Sequence, residues 1–423
     1  MLKTLSQKQK QALSWAFSPE TCSKYKAIVC DGAVRSGKTT VLTLGFILWA
    51  MENFDRHNFA ICGKTVGSTI RNVVKPLLVS DEINAFYTID FKRSENLLII
   101  RGKHSTNSFY IFGGKDESSQ DLIQGITLAG IFFDEVALMP ESFVSQGLAR
   151  TLSISGAKYW FNCNPSNPLH WFKREWIDKA DEKKALHLHF LMEDNPILTP
   201  DMIREAARSY SGMFYDRYIL GLWVSAEGRV YDGFSPSRHI LEQTPELDES
   251  EFYISCDYGT QNACVFLLWR RVRNSSIWYC EKEYYYSGRE KQRQKTDQEY
   301  IQDLYEFTGG MKPKLIVVDP SAASFIAALK REGYNVKQAK NDVSNGIRNV
   351  ATELKEGRLL FSPDCVNTRK EFEAYVWDAR AAARGEDTPL KENDHAMDAV
   401  RYFVRTVLYK KTITMNRGGD VRF

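Results

Sequence analysis

The sequence lacks the closely spaced cysteine pairs that a disulfide framework or a zinc site would need. Its eight cysteines are scattered through apolar segments, and none belongs to a Cys-x-x-Cys pair. Isolated cysteines in such segments are typical of buried, reduced thiols. The sequence therefore favours a protein of a reducing compartment, the cytoplasm.

Long apolar runs are also absent. The run at residues 41–51 is too short to cross a membrane, which takes about 20 consecutive apolar residues in a helix. The first 16 residues are polar and amphipathic, without the apolar core of a secretory signal. We expect neither a membrane partner nor export by a signal peptide.

The chain has no large excess of charge of either sign. Lysine and arginine number 56 against 53 aspartate and glutamate, a net charge of +3. This balance neither demands nor excludes a nucleic-acid partner, so any basic surface must be local. A length of 423 residues predicts two or three domains.

A glycine-rich loop follows the first apolar segment. Residues 27–30 predict a buried strand, residues 32–39 read Gly-Ala-Val-Arg-Ser-Gly-Lys-Thr, and residues 41–51 predict a helix. Strand, loop and helix in this order are the context that a phosphate-binding loop requires. A purely structural glycine turn is the alternative, and the flanking elements argue against it.

The residues of this loop predict a site for ATP with Mg²⁺. Gly32 and Gly37 let successive backbone N–H groups converge on a phosphate at the helix N-terminus. Lys38 is expected to reach the β- and γ-phosphates, and Thr39 to place its hydroxyl on Mg²⁺. The other candidate nucleotide-binding residues of the loop are Ser36 and Thr40.

Glutamines precede this loop on a predicted amphipathic helix. Gln9 is our candidate among them, because glutamines just upstream of a phosphate loop can bind an adenine edge. The alternative, that these glutamines form a solvated helix face, is equally compatible with the sequence.

A second apolar strand, residues 128–133, ends in two adjacent acids. Neighbouring carboxylates are costly to bury unless each has a function or a partner. Asp134 suits a hold on Mg²⁺ through water, and Glu135 suits the general base that orients the attacking water.

A third predicted strand, residues 158–161, ends in asparagines. A polar side chain beside the acidic strand can sense the γ-phosphate, and either Asn162 or Asn164 would serve. The alternative is an Asn-Pro turn without such a function. The neighbouring motifs favour sensing.

Composition predicts three parts. Residues 1–194 form the ATPase domain, residues 195–245 a small helical lid and linker, and residues 246–423 a second α/β domain. The polar C-terminal end of this second domain, residues 410–423, is expected to be mobile.

Three separated aspartates and a histidine of the second domain predict a metal site. Asp257 and Asp319 each follow a predicted strand, while Asp398 and His395 share one face of a predicted helix. Two divalent ions about 3.5–4 Å apart, held by such oxygen ligands, can activate water against a phosphodiester. His395 would be a ligand or a proton carrier. Each aspartate alone would more often be a cap or turn residue, so the complete set carries this interpretation.

These motifs, in this order and over nearly the whole chain, resemble the large subunit of tailed-bacteriophage terminases. The resemblance rests on residues 32–39, 131–135, 161–165, 221–223, 228–231, 257–259, 318–320 and 394–398. It implies an ASCE-type P-loop ATPase that translocates double-stranded DNA into a procapsid. It also implies a ribonuclease H-like endonuclease with two Mg²⁺ or Mn²⁺ ions that cuts concatemeric DNA.

The resemblance also implies partners and a location. The partners are double-stranded DNA, a terminase small subunit and the portal protein, on which a pentameric ring of this chain would act; a monomer in solution is compatible with this. The location is the cytoplasm of the host. Arg35 matches a position where the family often places an arginine on the γ-phosphate.

The sequence departs from the family at the trans-acting arginine. Some relatives have it shortly before the acidic strand, where this chain has Gln124 and Gly125. Arg150, Arg101 and other arginines of the chain are all open as substitutes.

Two other functions remain open from the sequence. One is a helicase or repair ATPase without cutting activity, in which the aspartates of the second domain are structural. The other is a scaffold that binds nucleotide without hydrolysing it.

Overall fold

The computed structural model describes residues 4–392 and 394–409. It divides into two compact units, one of Met1–Ala226 with Ala379–Asp387 and one of Glu227–Asp378 with Thr388–Phe423. We call them unit 1 and unit 2. The predicted boundaries after residues 194 and 245 stay predictions, and the predicted mobile tail at residues 410–423 lies outside the described residues.

The strands of the described residues are given in chain order. They are β1 (Ala27–Gly32), β2 (Asn58–Gly63), β3 (Thr88–Lys92), β4 (Leu97–Arg101), β5 (Thr106–Gly113), β6 (Gly130–Asp134), β7 (Lys158–Asn162), β8 (Ala185–Phe190), β9 (Tyr253–Asp257), β10 (Ala263–Arg271), β11 (Trp278–Ser287), β12 (Leu315–Val318), β13 (Val336–Gln338) and β14 (Leu359–Phe361).

The α-helices follow in the same way. They are α1 (Gln7–Ser14), α2 (Pro19–Cys22), α3 (Lys38–Asn53), α4 (Val66–Thr69), α5 (Lys75–Leu78), α6 (Asp81–Asn84), α7 (Glu141–Ala149), α8 (Pro200–Arg208), α9 (Gly212–Tyr218), α10 (Pro236–His239), α11 (Asp297–Phe307), α12 (Ala323–Arg331), α13 (Val343–Lys355), α14 (Val366–Ala374), α15 (Ala379–Ala383) and α16 (His395–Phe403).

The sheet of unit 1 has the strand order β3-β4-β5-β2-β6-β7-β1-β8. Strands from β5 to β8 in this order are parallel, and β3 and β4 add an antiparallel edge. Because β7 lies between β1 and β6, Asn162 is in register with both Asp134 and Cys30. A strand inserted between the phosphate-loop strand and the acidic strand is the arrangement of the ASCE class.

The core of unit 1 forms where α3 covers the parallel strands. All six residues of β1 are buried, as expected for a strand covered on both faces. Phe46 of α3 lies 5.9 Å from Phe59 and 5.1 Å from Trp160, measured between ring centroids. This packing holds the first turn of α3, and so the phosphate loop, at the edge of the sheet.

The sheet of unit 2 has the order β13-β12-β9-β10-β11-β14. If strands β9 to β13 are renumbered 1 to 5 in chain order, the sheet reads 3-2-1-4-5 from β11 to β13. Only β10 is antiparallel to its neighbours, β9 and β11. This is the arrangement of the ribonuclease H fold. Helix α16 is anchored on it by Phe403, whose ring stacks on Trp269 with a centroid distance of 4.4 Å.

A helical segment of unit 1 is interrupted. A π turn at Ile70–Val74 separates α4 from α5. Pro76 has no N–H to donate to the preceding turn, so regular α-helical hydrogen bonding cannot continue through this point.

The cysteines agree with the expectation of reduced thiols. All eight are free, seven of them buried and Cys22 partly exposed. Among the described residues, none of the helices combines the length and the hydropathy that a membrane crossing requires.

A short excursion of the chain belongs to unit 1 although it lies late in the sequence. Helix α15 and the residues after it leave unit 2 between Asp378 and Thr388, whose backbones are joined by a hydrogen bond of 2.9 Å. Asp387 pairs with Arg217 at 2.5 Å, and the amide of Asn167 donates to the carbonyl of Ala382 at 3.2 Å. No pattern in the sequence predicted this excursion.

Replacement of Asp387 should destabilise unit 1. The side chains of Arg217 and Asp387 are only 5% and 13% exposed, so Asp387→Ala leaves a buried guanidinium without its carboxylate. We expect a loss of about 3 kcal/mol in the free energy of unfolding, measured by urea denaturation of the full chain. The control is Glu386→Ala, whose partner Arg384 is exposed. Equal urea midpoints for the two variants would show that the buried Arg217–Asp387 pair does not stabilise unit 1.

Candidate nucleotide and metal sites

The phosphate loop has a backbone that only glycine accommodates at two positions. Gly32 has φ +122°, and a Cβ there would lie 2.0 Å from the carbonyl oxygen of Phe190. Gly37 has φ +85°, and a Cβ there would lie 2.5 Å from Nε2 of Gln9. The loop therefore turns tightly into the N-terminus of α3, where unpaired N–H groups can bind an anion.

Lys38 lies buried within this loop. Its ammonium donates to the carbonyls of Ala33 (2.6 Å) and Gly32 (3.1 Å), to the hydroxyl of Ser36 (3.2 Å) and to Oδ1 of Asn164 (3.3 Å). Burial lowers the pKa of Lys38 to about 8. These acceptors are neutral, so an anion in the loop would stabilise the charged form of Lys38.

Thr39, Asp134 and Asn162 form one hydrogen-bonded group beside Lys38. The Thr39 hydroxyl donates to Oδ1 of Asp134 at 3.1 Å, and the Asn162 amide lies 2.6 Å from the same oxygen and 2.7 Å from the hydroxyl. Burial raises the pKa of Asp134. Oδ1 of Asn162 is buried and has no partner among the described residues. Hydroxyl, carboxylate and a spare amide oxygen are hard oxygen ligands that suit Mg²⁺ and its waters.

Glu135 follows this group and is only partly exposed. It has a left-handed backbone, with φ 59°, which turns the chain sharply at the end of β6. Burial and the neighbouring Asp134 raise the pKa of Glu135. A carboxylate with a raised pKa is suited to accept a proton from water.

The remaining predicted nucleotide residues differ in exposure. Gln9 is 4% exposed and donates to the carbonyl of Ser36 at 3.4 Å, so it does not belong to a solvated helix face. Arg35 in the loop and Thr40 in the first turn of α3 are exposed.

Two contacts that the sequence did not predict join the loop to residues beyond β8. The Asn195 amide donates to the carbonyl of Arg35 at 2.7 Å, and the Val34 N–H donates to the carbonyl of Tyr218 at 2.8 Å. The helical segment predicted as a lid thus contacts the phosphate loop directly.

Asp31, just before Gly32, was also missed. Its carboxylate lies 2.8 Å from Nε2 of His187 and 3.1 Å from Nδ1 of His189, and it accepts a 2.7 Å hydrogen bond from the Trp223 indole. Burial opposes ionisation of Asp31, but these hydrogen bonds outweigh it and hold the pKa of its carboxyl well below the usual range. The only signal in the sequence was an acid inside an apolar strand.

In unit 2, the four predicted metal-site residues line one cavity of about 720 Å³. Nδ1 of His395 lies 3.0 Å from Oδ2 of Asp257, and the Tyr402 hydroxyl donates to Oδ2 of Asp319 at 2.8 Å. The structure therefore places Asp257, Asp319, Asp398 and His395 around one cavity.

The carboxylates are nevertheless held by protein donors. Asp398 accepts hydrogen bonds of 2.8 and 3.2 Å from the Arg401 guanidinium, which also donates to Asn341 at 2.9 Å. Within residues 4–392 and 394–409, no three His, Cys, Asp or Glu side chains stand in position to surround one ion.

The electrostatics of this cavity nevertheless suit cations. Burial raises the pKa of Asp257 to about 7, and the nearby charges of Asp398 and Asp319 add to this rise. Burial also raises the pKa of Asp398, against the opposing effect of Arg401. A divalent cation would stabilise the ionised form of all three carboxyls, and oxygen donors from two strands and a helix fit such an ion.

Glu371 is a further buried acid beside this cavity that sequence reasoning missed. Its carboxylate accepts hydrogen bonds from the N–H groups of Ala396 (2.6 Å) and Met397 (3.3 Å) and from the Tyr285 hydroxyl (2.9 Å). Burial raises the pKa of Glu371 to about 7. Glu371 thus fixes the first turn of α16, which carries His395, and no local pattern marked it.

The two units together define a P-loop protein with a second, ribonuclease H-like unit. A family model described as the N-terminal part of the T4likevirus-type terminase large subunit matches residues 29–237. The terminase large subunit of Escherichia phage T5 is 24% identical over 295 residues, which are 66% of this chain. The match spans 65% of that protein's length.

Solved structures extend the comparison to the whole chain. The large terminase of a thermophilic bacteriophage is 51% identical, covers 96% of this chain and 100% of its own, and has a TM-score of 0.91. The same thermophilic-phage protein in complex with ATP-gamma-S is 49% identical at the same coverage, with a TM-score of 0.88. This chain belongs to the bacteriophage terminase large subunits. The resemblance stated from the motifs and the predicted fold class are confirmed.

Removal of the Glu371 carboxylate should loosen the start of α16. In Glu371→Ala two N–H groups and a hydroxyl lose their acceptor, so we expect the free energy of unfolding to fall by about 2–3 kcal/mol in urea. Glu371→Gln keeps an acceptor oxygen and should lose less. Glu373→Ala is the matched control, because Glu373 is exposed and lies on α14, the same helix as Glu371. A Glu371→Ala variant as stable as this control would rule out the assigned function.

Proposed function

We propose that this chain hydrolyses ATP to translocate double-stranded DNA into a procapsid and cuts concatemeric DNA with a divalent-metal-dependent endonuclease site. The observation that carries the first activity is the hydrogen-bonded group of Thr39, Asp134 and Asn162 beside the buried Lys38. The thermophilic-phage relative in complex with ATP-gamma-S, 49% identical, supports a nucleotide at this place.

In the ATPase reaction, the chain's own residues bind the phosphates, orient the attacking water and accept its proton. Lys38 would exchange its carbonyl acceptors for the β- and γ-phosphates. Thr39 and Asp134 would hold Mg²⁺, which would neutralise phosphate charge. Glu135 orients the attacking water and accepts its proton. Asn164, whose Oδ1 lies 3.3 Å from the Lys38 ammonium, is the better placed of the two candidate sensors.

The response to hydrolysis would pass to the segment predicted as the lid. Asn195 and Tyr218 contact the backbone of the phosphate loop, so a change in the loop alters these contacts directly. Arg35 is exposed on the loop and suits the γ-phosphate contact implied by the family. The trans-acting arginine stays open among Arg150, Arg101 and the other arginines of the chain.

In the nuclease reaction, Asp257, Asp319 and Asp398 would hold the divalent ions, Mg²⁺ or Mn²⁺, which supply an activated water and stabilise the leaving oxygen. Asp319 and Asp398 must exchange their present donors, Tyr402 and Arg401, for the ions. His395 keeps Asp257 in place and is positioned to carry a proton.

The proposed partners follow from the family. They are double-stranded DNA, a terminase small subunit and the portal protein, with this chain acting as a pentameric ring in the host cytoplasm. An ATPase without nuclease activity is the second candidate, favoured by the present separation of the acidic ligands within the described residues.

Glu135→Gln should abolish turnover but not nucleotide binding. The amide cannot accept the proton of water, so we expect the DNA-stimulated ATPase rate to fall by about 100-fold or more, while the affinity for ATP-gamma-S stays within about twofold. Glu141→Gln, at an exposed position, is the control and should turn over normally. Unchanged turnover in Glu135→Gln would refute its function as the base.

Asp257→Ala should abolish DNA cleavage in Mn²⁺. Loss of a ligand shared by the ions should reduce plasmid linearisation by the full chain about 100-fold or more, with ATP turnover retained as evidence of folding. The control is Asp364→Ala, which removes an exposed turn carboxylate. Cleavage at the normal rate by Asp257→Ala, or no divalent-dependent cleavage by the unaltered chain, would favour the ATPase without nuclease activity.

A further inference from the structure

We propose that residues 288–295, which we call the basic loop, bind the phosphodiester backbone of duplex DNA next to the cutting site. This inference rests on the proposed nuclease function and adds to it the surface that holds the substrate. The loop connects β11 to α11.

The basic loop concentrates positive charge in a chain that is nearly neutral overall. It contains four basic residues and a single acid, Glu290, in eight positions. Arg293 pairs with Glu299. Arg289 and Lys291 are exposed and form no ion pair with any carboxylate of the described residues. Their charges are therefore available to a ligand.

The loop adjoins the cavity that contains the predicted metal ligands. Arg289 lines that cavity together with Asp257, Asp319 and Asp398. It also lines a second cavity of about 240 Å³, whose other lining residues are Gln261, Gly288, Gln292, Arg293 and Gln294. A polar recess thus continues from the carboxylates onto the basic loop.

Hydrogen bonds connect the basic loop internally and to the turn that follows Asp257. The backbone N–H of Arg289 donates to the carbonyl of Gln261 at 3.0 Å, and the backbone N–H of Arg293 donates to the carbonyl of Gly288 at 3.0 Å. The Tyr286 hydroxyl donates to the carbonyl of Arg293 at 2.9 Å. Because Gln261 lies in the turn that follows Asp257, the loop is tied to the backbone of a predicted metal ligand.

The close packing of Gly288 reinforces this connection. A Cβ at Gly288 would lie 2.6 Å from the carbonyl oxygen of Thr260, so the loop and the turn after Asp257 are in direct backbone contact. A loop held in this way loses little conformational entropy when it binds a ligand. The loop backbone therefore presents its basic side chains beside the cavity.

The chemistry of the recess selects the ligand. Six acidic side chains line the larger cavity and repel DNA phosphates unless cations lie close by. Duplex DNA carries about one negative charge per 1.7 Å of its axis. Arginine binds phosphate oxygens with two parallel hydrogen bonds, and glutamine amides also donate to phosphate and sugar oxygens. Contacts to the backbone do not distinguish bases, so this surface should bind duplex DNA of any sequence.

The test uses a double variant of the full chain that carries both Arg289→Ala and Lys291→Ala. This variant is compared to the unaltered chain. We measure kcat and KM for cleavage of a fluorescein-labelled duplex in Mn²⁺ at several salt concentrations. The expected result is a KM about tenfold higher with kcat within about threefold, and a smaller salt dependence of KM, because two phosphate contacts are lost. ATP turnover without DNA should not change.

Two controls make this test specific. Lys330→Ala with Arg331→Ala removes two exposed basic residues of α12 that line neither cavity, and it should cleave normally. Arg289→Lys with Lys291→Arg keeps both charges and should restore most of the affinity. An unchanged KM and salt dependence in the double alanine variant, or a fall in kcat alone, would overturn the inference.

The outcome is separable from that of the nuclease proposal. If Asp257→Ala is inactive while the double alanine variant has a normal KM, the nuclease site stands and the DNA surface is wrong. An acidic protein as the ligand of the loop would give this same normal KM and so counts against the inference. If Asp257→Ala cleaves normally, the nuclease proposal itself fails.

Discussion

Parallel strand pairing is the constraint on which both candidate sites depend. In unit 1, β1, β7 and β6 are parallel neighbours, so Asp134 and Asn162 come to the same edge of the sheet as the phosphate loop. In unit 2, β12 pairs in parallel with β9, and Asp319 thereby follows its strand next to Asp257. Carboxyl ends of parallel strands form the crevice where ligands of α/β sheets bind. The functional side chains are adjacent because of strand register, although they are far apart in sequence.

Burial of charge at these edges requires partners for every group. Lys38 is surrounded by neutral acceptors, whereas Asp31 has two histidines and an indole, and Asp398 has an arginine. The two arrangements have different consequences. A buried cation without an anion attracts phosphate, while a carboxylate with good protein donors must exchange them before it can bind a metal ion.

The two sites therefore differ in how far they are assembled. Thr39, Asp134 and Asn162 already contact one another around the place where a cation is expected. The carboxylates of unit 2 share a cavity, but within the described residues they do not yet surround one point. The site of unit 2 would become assembled by rotation of its carboxylate side chains, with the backbone of β9, β12 and α16 in place.

The sequence by itself determined the local chemistry. Gly32, Gly37, Lys38 and Thr39 could be recognised because a phosphate loop needs fixed residues at fixed spacing within one turn of chain. The main strands and the positions of Asp134, Asp257 and Asp319 were predictable because each of these acids ends an apolar run.

The tertiary structure alone decided which distant groups meet. The partners of Asp31 lie more than 150 residues away, Glu371 reaches the start of α16 across 25 residues, and residues 379–387 pack in unit 1. Short strands such as β13 and β14 also escaped prediction, since three residues carry too little periodicity. These contacts leave no local pattern because strand register and helix packing, not neighbouring residues, determine which side chains share the buried space.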